Sequence, residues 1–328
     1  MRVVTTAGEA VGIDCRVPWL AALLESATAG ELTESASAAQ TVHLEVGRER
    51  TPFETTGWAL VTRGAWAAPP RVLLADACSS GFDLLVEPVG GTLRVIARYR
   101  PAARTRAANI LLGGRFRLLA AQTLLHYPAL WWASLRGRVP LHVSVTAGAG
   151  GVTMLAGPSG VGKSTLLSAG LPKGDIATAD NVCACDAQTA YGLVEPLRVD
   201  RAGPGGSGGP AAPHGRREHP FPRRVPSLEP ERLVVLRRCP AGGAEGVAPL
   251  PPDEAARELV TGTYMAGELR RFWAFAATLA LATGLGPAHP DVAGVASALA
   301  ARLPCLELRL ARPAQAGVGE LISLAGAS

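Results

Sequence analysis

Lysine is almost missing from this chain of 328 residues: of 32 Lys and Arg residues, only Lys163 and Lys173 are lysine. A lysine at a motif position is therefore not a product of composition. Aromatic residues are also scarce, at 5%, and no basic run is interleaved with them as single-strand binding would favour, so no nucleic-acid partner is expected. The six cysteines, Cys15, Cys78, Cys183, Cys185, Cys239 and Cys305, are too few for a disulfide scaffold in a chain this long. They also lack zinc-ligand spacing, which predicts free thiols in a reducing cytosol. The segment Met1-Arg2-Val3-Val4-Thr5-Thr6 has no apolar core of a signal peptide. The longest apolar run, Phe272 to Leu285, is short of a membrane span and predicts a buried helix. No membrane partner and a cytoplasmic location are expected.

What is present is core-forming material, 48% hydrophobic, with a mild net charge of +5 that suits an anionic ligand. Against that background one segment stands out. Gly157-Pro158-Ser159-Gly160-Val161-Gly162-Lys163-Ser164, followed by Thr165, fits G-x-x-x-x-G-K-[ST], the phosphate-binding P-loop. Its glycines let consecutive N–H groups point inward as an anion nest. Lys163 is placed for β- and γ-phosphates and the Ser164 hydroxyl for Mg²⁺. Val152–Ala156 reads as the strand before the loop and Ser164–Ala169 as the helix after it, whose positive end would face phosphate.

Two further residues gain meaning from position. Ile176-Ala177-Thr178-Ala179 ends in Asp180, seventeen residues after Lys163. Room for a short helix, a turn and a strand predicts a parallel strand beside the P-loop strand, with Asp180 at its carboxyl end. There it is a candidate for Mg²⁺ binding or for accepting a hydroxyl proton; a turn-forming Asp at a strand end is the plainer alternative. Leu141–Thr146 alternates, with His142, Ser144 and Thr146 on one face. A hairpin through Ala147-Gly148-Ala149-Gly150 would set Thr146 opposite Gly151 and His142 opposite Leu155. That register brings the imidazole to the bound phosphates, although a lone histidine can equally be structural.

Around this core, residues 1–136 read as an N-terminal α+β domain, a candidate substrate-recognition module. Strands are expected at Thr41–Val46, Trp58–Thr62, Arg71–Ala75, Phe82–Glu87 and Thr92–Tyr99, and helices over Arg104–Leu112 and Arg115–Leu135, the second kinked or interrupted by Pro128. Residues 137–328 read as the nucleotide domain, with a flexible Gly/Pro/Arg-rich loop at 202–226. In it Arg216, Arg217, Arg223 and Arg224 could clamp phosphate or an acidic substrate; a solvated basic linker is the alternative. Arg198, in more ordered-looking sequence, is another candidate for phosphate or substrate. Beyond the loop a strand is expected at Arg232–Leu236, helices at Asp253–Thr261, Ala266–Ala282 and Asp291–Leu303, and a strand at Cys305–Leu310.

The arrangement Leu141-His142, then the P-loop, then Ala179-Asp180, resembles the catalytic core of HPr kinase/phosphorylase. It is more similar to HPr-kinase-related proteins, some of which phosphorylate ribosomally made precursor peptides such as lasso-peptide precursors. The spacings agree, fifteen residues from His142 to Gly157 and seventeen from Lys163 to Asp180. Tyr191-Gly192-Leu193 and Glu195-Pro196-Leu197-Arg198 are similar to the related group as well. The resemblance implies an α/β fold with an HPr kinase C-terminal-like P-loop core, and ATP- and Mg²⁺-dependent phosphoryl transfer to a serine or threonine hydroxyl. It implies Asp180 as first acid of the family's Asp-Asp pair and His142 as the histidine near the transferred phosphate. Asn181 replaces the second acid: its carbonyl could bind metal but could not act as base. Pro158 replaces an Asp of the true HPr enzymes, and their second signature segment is missing. The expected partner is a peptide or small-protein substrate, with a homo-oligomer left open. A small-molecule kinase on the same core, or a nucleotide-binding regulatory or scaffold protein without transfer, are the alternatives.

Overall fold

A computed structural model describes residues 1–34, 39–200, 209–239 and 245–310. It is mixed α/β, and the chain divides into two compact units, one of Met1–Gly137 with Arg271–Pro290, the other of Arg138–Arg270 with the chain from Asp291 onward. The first of these units takes in the segment Arg271–Pro290 from beyond residue 137. The apolar helix Phe272–Thr283 packs in the first unit, where Tyr127 lies 5.8 Å from both Phe272 and Phe275.

The first unit is built on a nine-stranded sheet in which Glu9–Cys15, Val42–Val46 and Thr92–Tyr99 run parallel as neighbours. The five strands expected from alternation are present within two residues at each end. Gly90 and Gly91, both at positive φ, turn the last hairpin, as a type I′ turn requires. The expectation omitted the hairpin Arg2–Thr6/Glu9–Cys15, turned by Ala7 and Gly8 in the same left-handed region. Helices form at Ala103–Leu111 and Gly113–Ala121. Pro128 perturbs the helical path beyond Ala121 without ending it. A π-helical turn, Gln122–His126, precedes the fully buried helix Tyr127–Ser134, and the Tyr127 N–H reaches back five residues to Gln122.

The second unit holds a six-stranded sheet in the order Ile176–Ala177, Ser144–Gly148, Gly151–Ala156, Arg232–Arg238, Cys305–Leu310, Gly246–Pro249. Its centre is parallel, and Leu233-Val234-Val235-Leu236 is fully buried, as a strand covered on both faces must be. Leu155, Val161, Leu166, Val234, Leu236, Leu308 and Leu310 form one core that ties strand, loop and helix together. A smaller antiparallel sheet runs Val139–Leu141, Cys183–Cys185, Ala190–Gly192, Ser227–Leu228. Asp291 caps the helix Val292–Arg302, accepting from the Gly294 N–H at 2.9 Å. Helix Pro252–Tyr264 takes the place expected of Asp253–Thr261; the next expected helix begins only at Phe272, after a 3₁₀ turn at Gly267–Leu269.

Three details differ from expectation. The Ser144–Gly148 hairpin turns in two residues, so Gly148 faces Gly151 and Ser144, not His142, faces Leu155. Ile176–Ala177 pairs antiparallel with Ser144–Gly148 rather than beside Gly151–Ala156, because the other flank of Gly151–Ala156 is taken by Arg232–Arg238. Within 202–226, residues 202–208 lie outside the described residues, whereas Arg216–His219 is a strand paired with Leu197–Asp200. Glu218 is buried in that strand, its N–H donating to the Pro210 carbonyl at 3.0 Å. Among the described residues no helix is long and apolar enough to cross a membrane.

Candidate functional site

The strand Gly151–Ala156 leads through a glycine-rich loop into the helix Lys163–Gly170. Gly157, Gly160 and Gly162 have φ of +135°, +79° and +126°, which side chains with a Cβ rarely adopt. A Cβ on Gly157 would also lie 2.8 Å from the Leu236 carbonyl of the neighbouring strand. The loop rim, Pro158 to Gly160, is exposed while Lys163 is buried beneath it. Lys163 Nζ donates to the carbonyls of Gly157 at 2.8 Å and Pro158 at 3.4 Å. Burial lowers its pKa to about 8, opposed by Asp180 and Glu268 and assisted by Arg216.

Asp180 is three residues past Ile176–Ala177 and fully buried. Because that strand runs opposite to Ser144–Gly148, it points the same way as Gly151–Ala156, and Asp180 comes out at the end where the loop begins. Ser144 Oγ donates to its backbone carbonyl. Its Oδ2 accepts from the Arg198 N–H at 3.3 Å and faces the Asn181 amide at 3.5 Å. Among the described residues no hydrogen bond within 3.5 Å reaches its Oδ1, although the Ser164 hydroxyl is near enough to favour the ionised form. Burial raises the carboxyl pKa, against the nearby Ser164 hydroxyl, Arg198 and Arg216, which pull it down.

His142 sits where the chain leaves the smaller sheet at Leu141 and enters the larger one at Ser144. It is the centre of a γ-turn closed by the Val143 N–H on the Leu141 carbonyl, and its own N–H donates to Thr263 Oγ1 at 3.0 Å. The hairpin ladder ends at Ser144 opposite Leu155, and the γ-turn separates His142 from it. Gly262, beside Thr263 on the same helix, would place a Cβ 3.7 Å from the Gly157 carbonyl. Among the described residues neither ring nitrogen has a hydrogen-bond partner within 3.5 Å, although the Gly262 backbone is near enough to favour the protonated ring slightly. Burial first, then the Lys163 charge, drive the imidazole pKa to about 4 against Glu268, so it is neutral at pH 7.

Arg198 is buried as well, in ion pairs with Glu195 and, at 3.5 Å, with Glu268. Burial pushes the Glu195 carboxyl up to about 7, with Asp180 and Glu268 adding to the shift and Arg198 opposing it. The Glu268 carboxyl is held low by Arg198, His142 and Lys163 against its own burial. Sequence reasoning assigned neither glutamate a role. Glu195 had a signal: an arginine in the apolar stretch Val194–Val199 needs a buried carboxylate, and position i−3 supplies one. Glu268, seventy residues from Arg198, had none.

Of the four loop arginines, Arg216 acts electrostatically on both Lys163 and Asp180. The others bond backbone carbonyls: Arg217 to Gly209, Arg223 to Gly174 and Arg224 to Gly192. Cys183 and Cys185 are buried strand residues, and among the described residues no group of three His, Cys, Asp or Glu is placed to hold a metal ion. The Ser164 hydroxyl and the buried Asp180 carboxylate, close enough to interact, are nonetheless suited to share a hard cation whose remaining ligands come from a bound substrate. The loop could wrap an anion, and Asp180 could take up a proton. Compared with known proteins, the chain matches no protein-family model and no curated protein sequence.

Proposed function

We propose that the second unit is an ATP- and Mg²⁺-dependent kinase of the HPr-kinase-like kind, transferring the γ-phosphate to a serine or threonine hydroxyl of a peptide or small protein. The observation that carries this reading is the meeting of three buried groups at one glycine-rich loop: Lys163, Asp180 and neutral His142. In this reading residues 157–165 cradle the phosphates, and Lys163 exchanges the Gly157 and Pro158 carbonyls for phosphate oxygens. Ser164 and Asp180 would hold Mg²⁺, which would neutralise charge on the transferred group. Asp180 takes the hydroxyl proton as the new O–P bond forms and the bond to the β-phosphate breaks, releasing ADP. His142, uncharged, orients the transferred phosphoryl group without competing with Lys163 for it. Arg198 holds Asp180 through its backbone N–H while its own charge is balanced by Glu195 and Glu268.

The test is incubation of the full chain with γ-labelled ATP, Mg²⁺ and serine- and threonine-containing peptides. Label should appear on a peptide hydroxyl. Asp180→Asn should keep ATP affinity within about threefold and lower transfer at least about 100-fold, the scale of a lost general base. Lys163→Ala should lower both. Normal transfer by the Asp180 variant would remove Asp180 from the role of base. Label on a metabolite would move the acceptor to a small molecule, and tight ATP binding with no transfer would leave a nucleotide-binding regulatory protein.

A further inference from the structure

The first unit carries a pocket that the phosphotransfer reading does not use. Its volume is about 230 Å³, and it opens where three parallel neighbouring strands end: Val17 to Trp19 come after Glu9–Cys15, Gly47 to Arg50 after Val42–Val46, and Tyr99 closes Thr92–Tyr99. Outside the carboxyl ends of parallel strands is where open sheets leave a crevice for ligands.

One wall is apolar. Val17, Pro18, Trp19 and Tyr99 form it. Trp19 is 45% exposed, an unusual state for that side chain, yet it is not loose. It stands edge-on to Tyr99 at 5.1 Å and packs on Phe116 at 6.2 Å, and the Tyr99 hydroxyl is held by Asn109 Nδ2 at 3.2 Å. A rigid aromatic face gives contact area at small entropic cost.

The other wall is cationic. Arg48 and Arg50 line the pocket, and among the described residues neither guanidinium pairs with a carboxylate. Arg48 Nε donates only to the Arg16 carbonyl at 2.8 Å. Glu49 lies between them, but its carboxylate is taken by Arg98, and Asp14 nearby is paired with Arg16 at 3.5 Å. The helix Pro18–Ala27, which begins at the pocket, has no acidic residue in its first turn.

We propose that this pocket binds an acidic peptide segment, seating an apolar side chain on Trp19 and Tyr99 and a neighbouring carboxylate on Arg48 and Arg50. The volume suits a side chain or two of an extended segment, being smaller than the ~300–1,000 Å³ of typical small-molecule sites. Two unpaired cations accept a carboxylate but are too few to track a continuous phosphate backbone, which separates an acidic peptide from nucleic acid. The site is within the first unit, and its occupancy does not depend on whether the second unit transfers phosphate.

The experiment is a fluorescence-anisotropy titration of the full chain with a Leu-Asp-Phe-Glu peptide amidated at its C-terminus and labelled at its N-terminus with a net-neutral rhodamine, with no nucleotide present. Saturable binding is expected, about fivefold or more weakened when Asn and Gln replace the acids, the factor that one lost ion pair of about 1 kcal/mol gives. Arg50→Gln, which removes an exposed side chain with no hydrogen bond among the described residues, should weaken binding by a similar factor and leave the thermal melt unchanged. Trp19→Ala should weaken the acidic and the amide peptide alike. Equal affinity for the two peptides, wild-type affinity in Arg50→Gln, absence of saturable binding, or tighter binding of labelled oligothymidine than of the peptide would each overturn the proposal.

Discussion

At the scale of single residues the second unit holds titratable groups whose environments push them in opposite directions. Burial moves His142 down from 6.5 to about 4, so the unfolded chain binds more protons between those values and stability rises with pH across that window. Burial moves Glu195 up from 4.5 to about 7, so the native state binds more protons there. Its contribution is complete below pH 4.5 and is lost as pH rises through 7. Between pH 4.5 and 6.5 the two slopes oppose each other. Glu195→Gln keeps the shape and removes one of them, so urea melts of the variant at pH 4.5, 5.5 and 6.5 should show stability rising more steeply with pH than in the wild type. Parallel curves for the two proteins would mean that Glu195 is ionised in the native state throughout, and that Arg198 outweighs its burial.

At the scale of elements, the position of Asp180 is governed by how closely two backbones approach. A Cβ on Gly192 would lie 2.1 Å from the Thr178 carbonyl, two residues before Asp180. Neither backbone can yield easily. Gly192 is held by its N–H on the Pro226 carbonyl at 3.0 Å, and the Thr178 N–H is held by the Val145 carbonyl at 3.0 Å. Gly192→Ala should therefore cost about 2 kcal/mol or more in a denaturant melt. Gly170→Ala is the control, since the atom it would meet is the end of the half-buried Asp175 side chain, which can turn away. That variant should lie within about 1 kcal/mol of wild type; equal losses for both would show that the Gly192 approach relaxes freely.

The same elements show what could be read in advance. The loop, its lysine and the strand and helix around it were legible because each rests on local rules of turn, burial and period. The hairpin before the loop was legible to within two residues of register, and the γ-turn through His142 ends the alternation that would carry the pattern further. The partner of Ile176–Ala177 was not. A two-residue strand has no pattern of its own, and which flank it joins is decided by Arg232–Arg238, more than fifty residues on. Glu268 escaped for the same reason, since a charge becomes part of a cluster only through contacts the local sequence does not encode.

For the whole molecule, the boundary that matters is not linear. The segment 271–290 leaves the second unit and returns, and its helix buries Phe272, Phe275, Ala276, Leu279, Ala280 and Ala282 within the first. Each large apolar side chain so covered is worth about 2 kcal/mol, comparable in sum to the net stability of a domain. A cut at residue 137 should therefore harm both pieces. Residues 1–137 alone should bind the dye ANS, because the surface that Phe272–Thr283 covers is left open to water. Fusing 271–290 to that fragment through a Gly-Ser linker should abolish the dye signal and raise the melting temperature. The piece 137–328 should bind ANS as well, with Phe272 and Phe275 unpaired from Tyr127. If 1–137 alone melts cooperatively and leaves ANS dark, the helix is an accessory to that unit rather than part of its core. A domain must close its hydrophobic surface with whatever chain reaches it, and here the chain that reaches it comes from beyond the loop and its lysine.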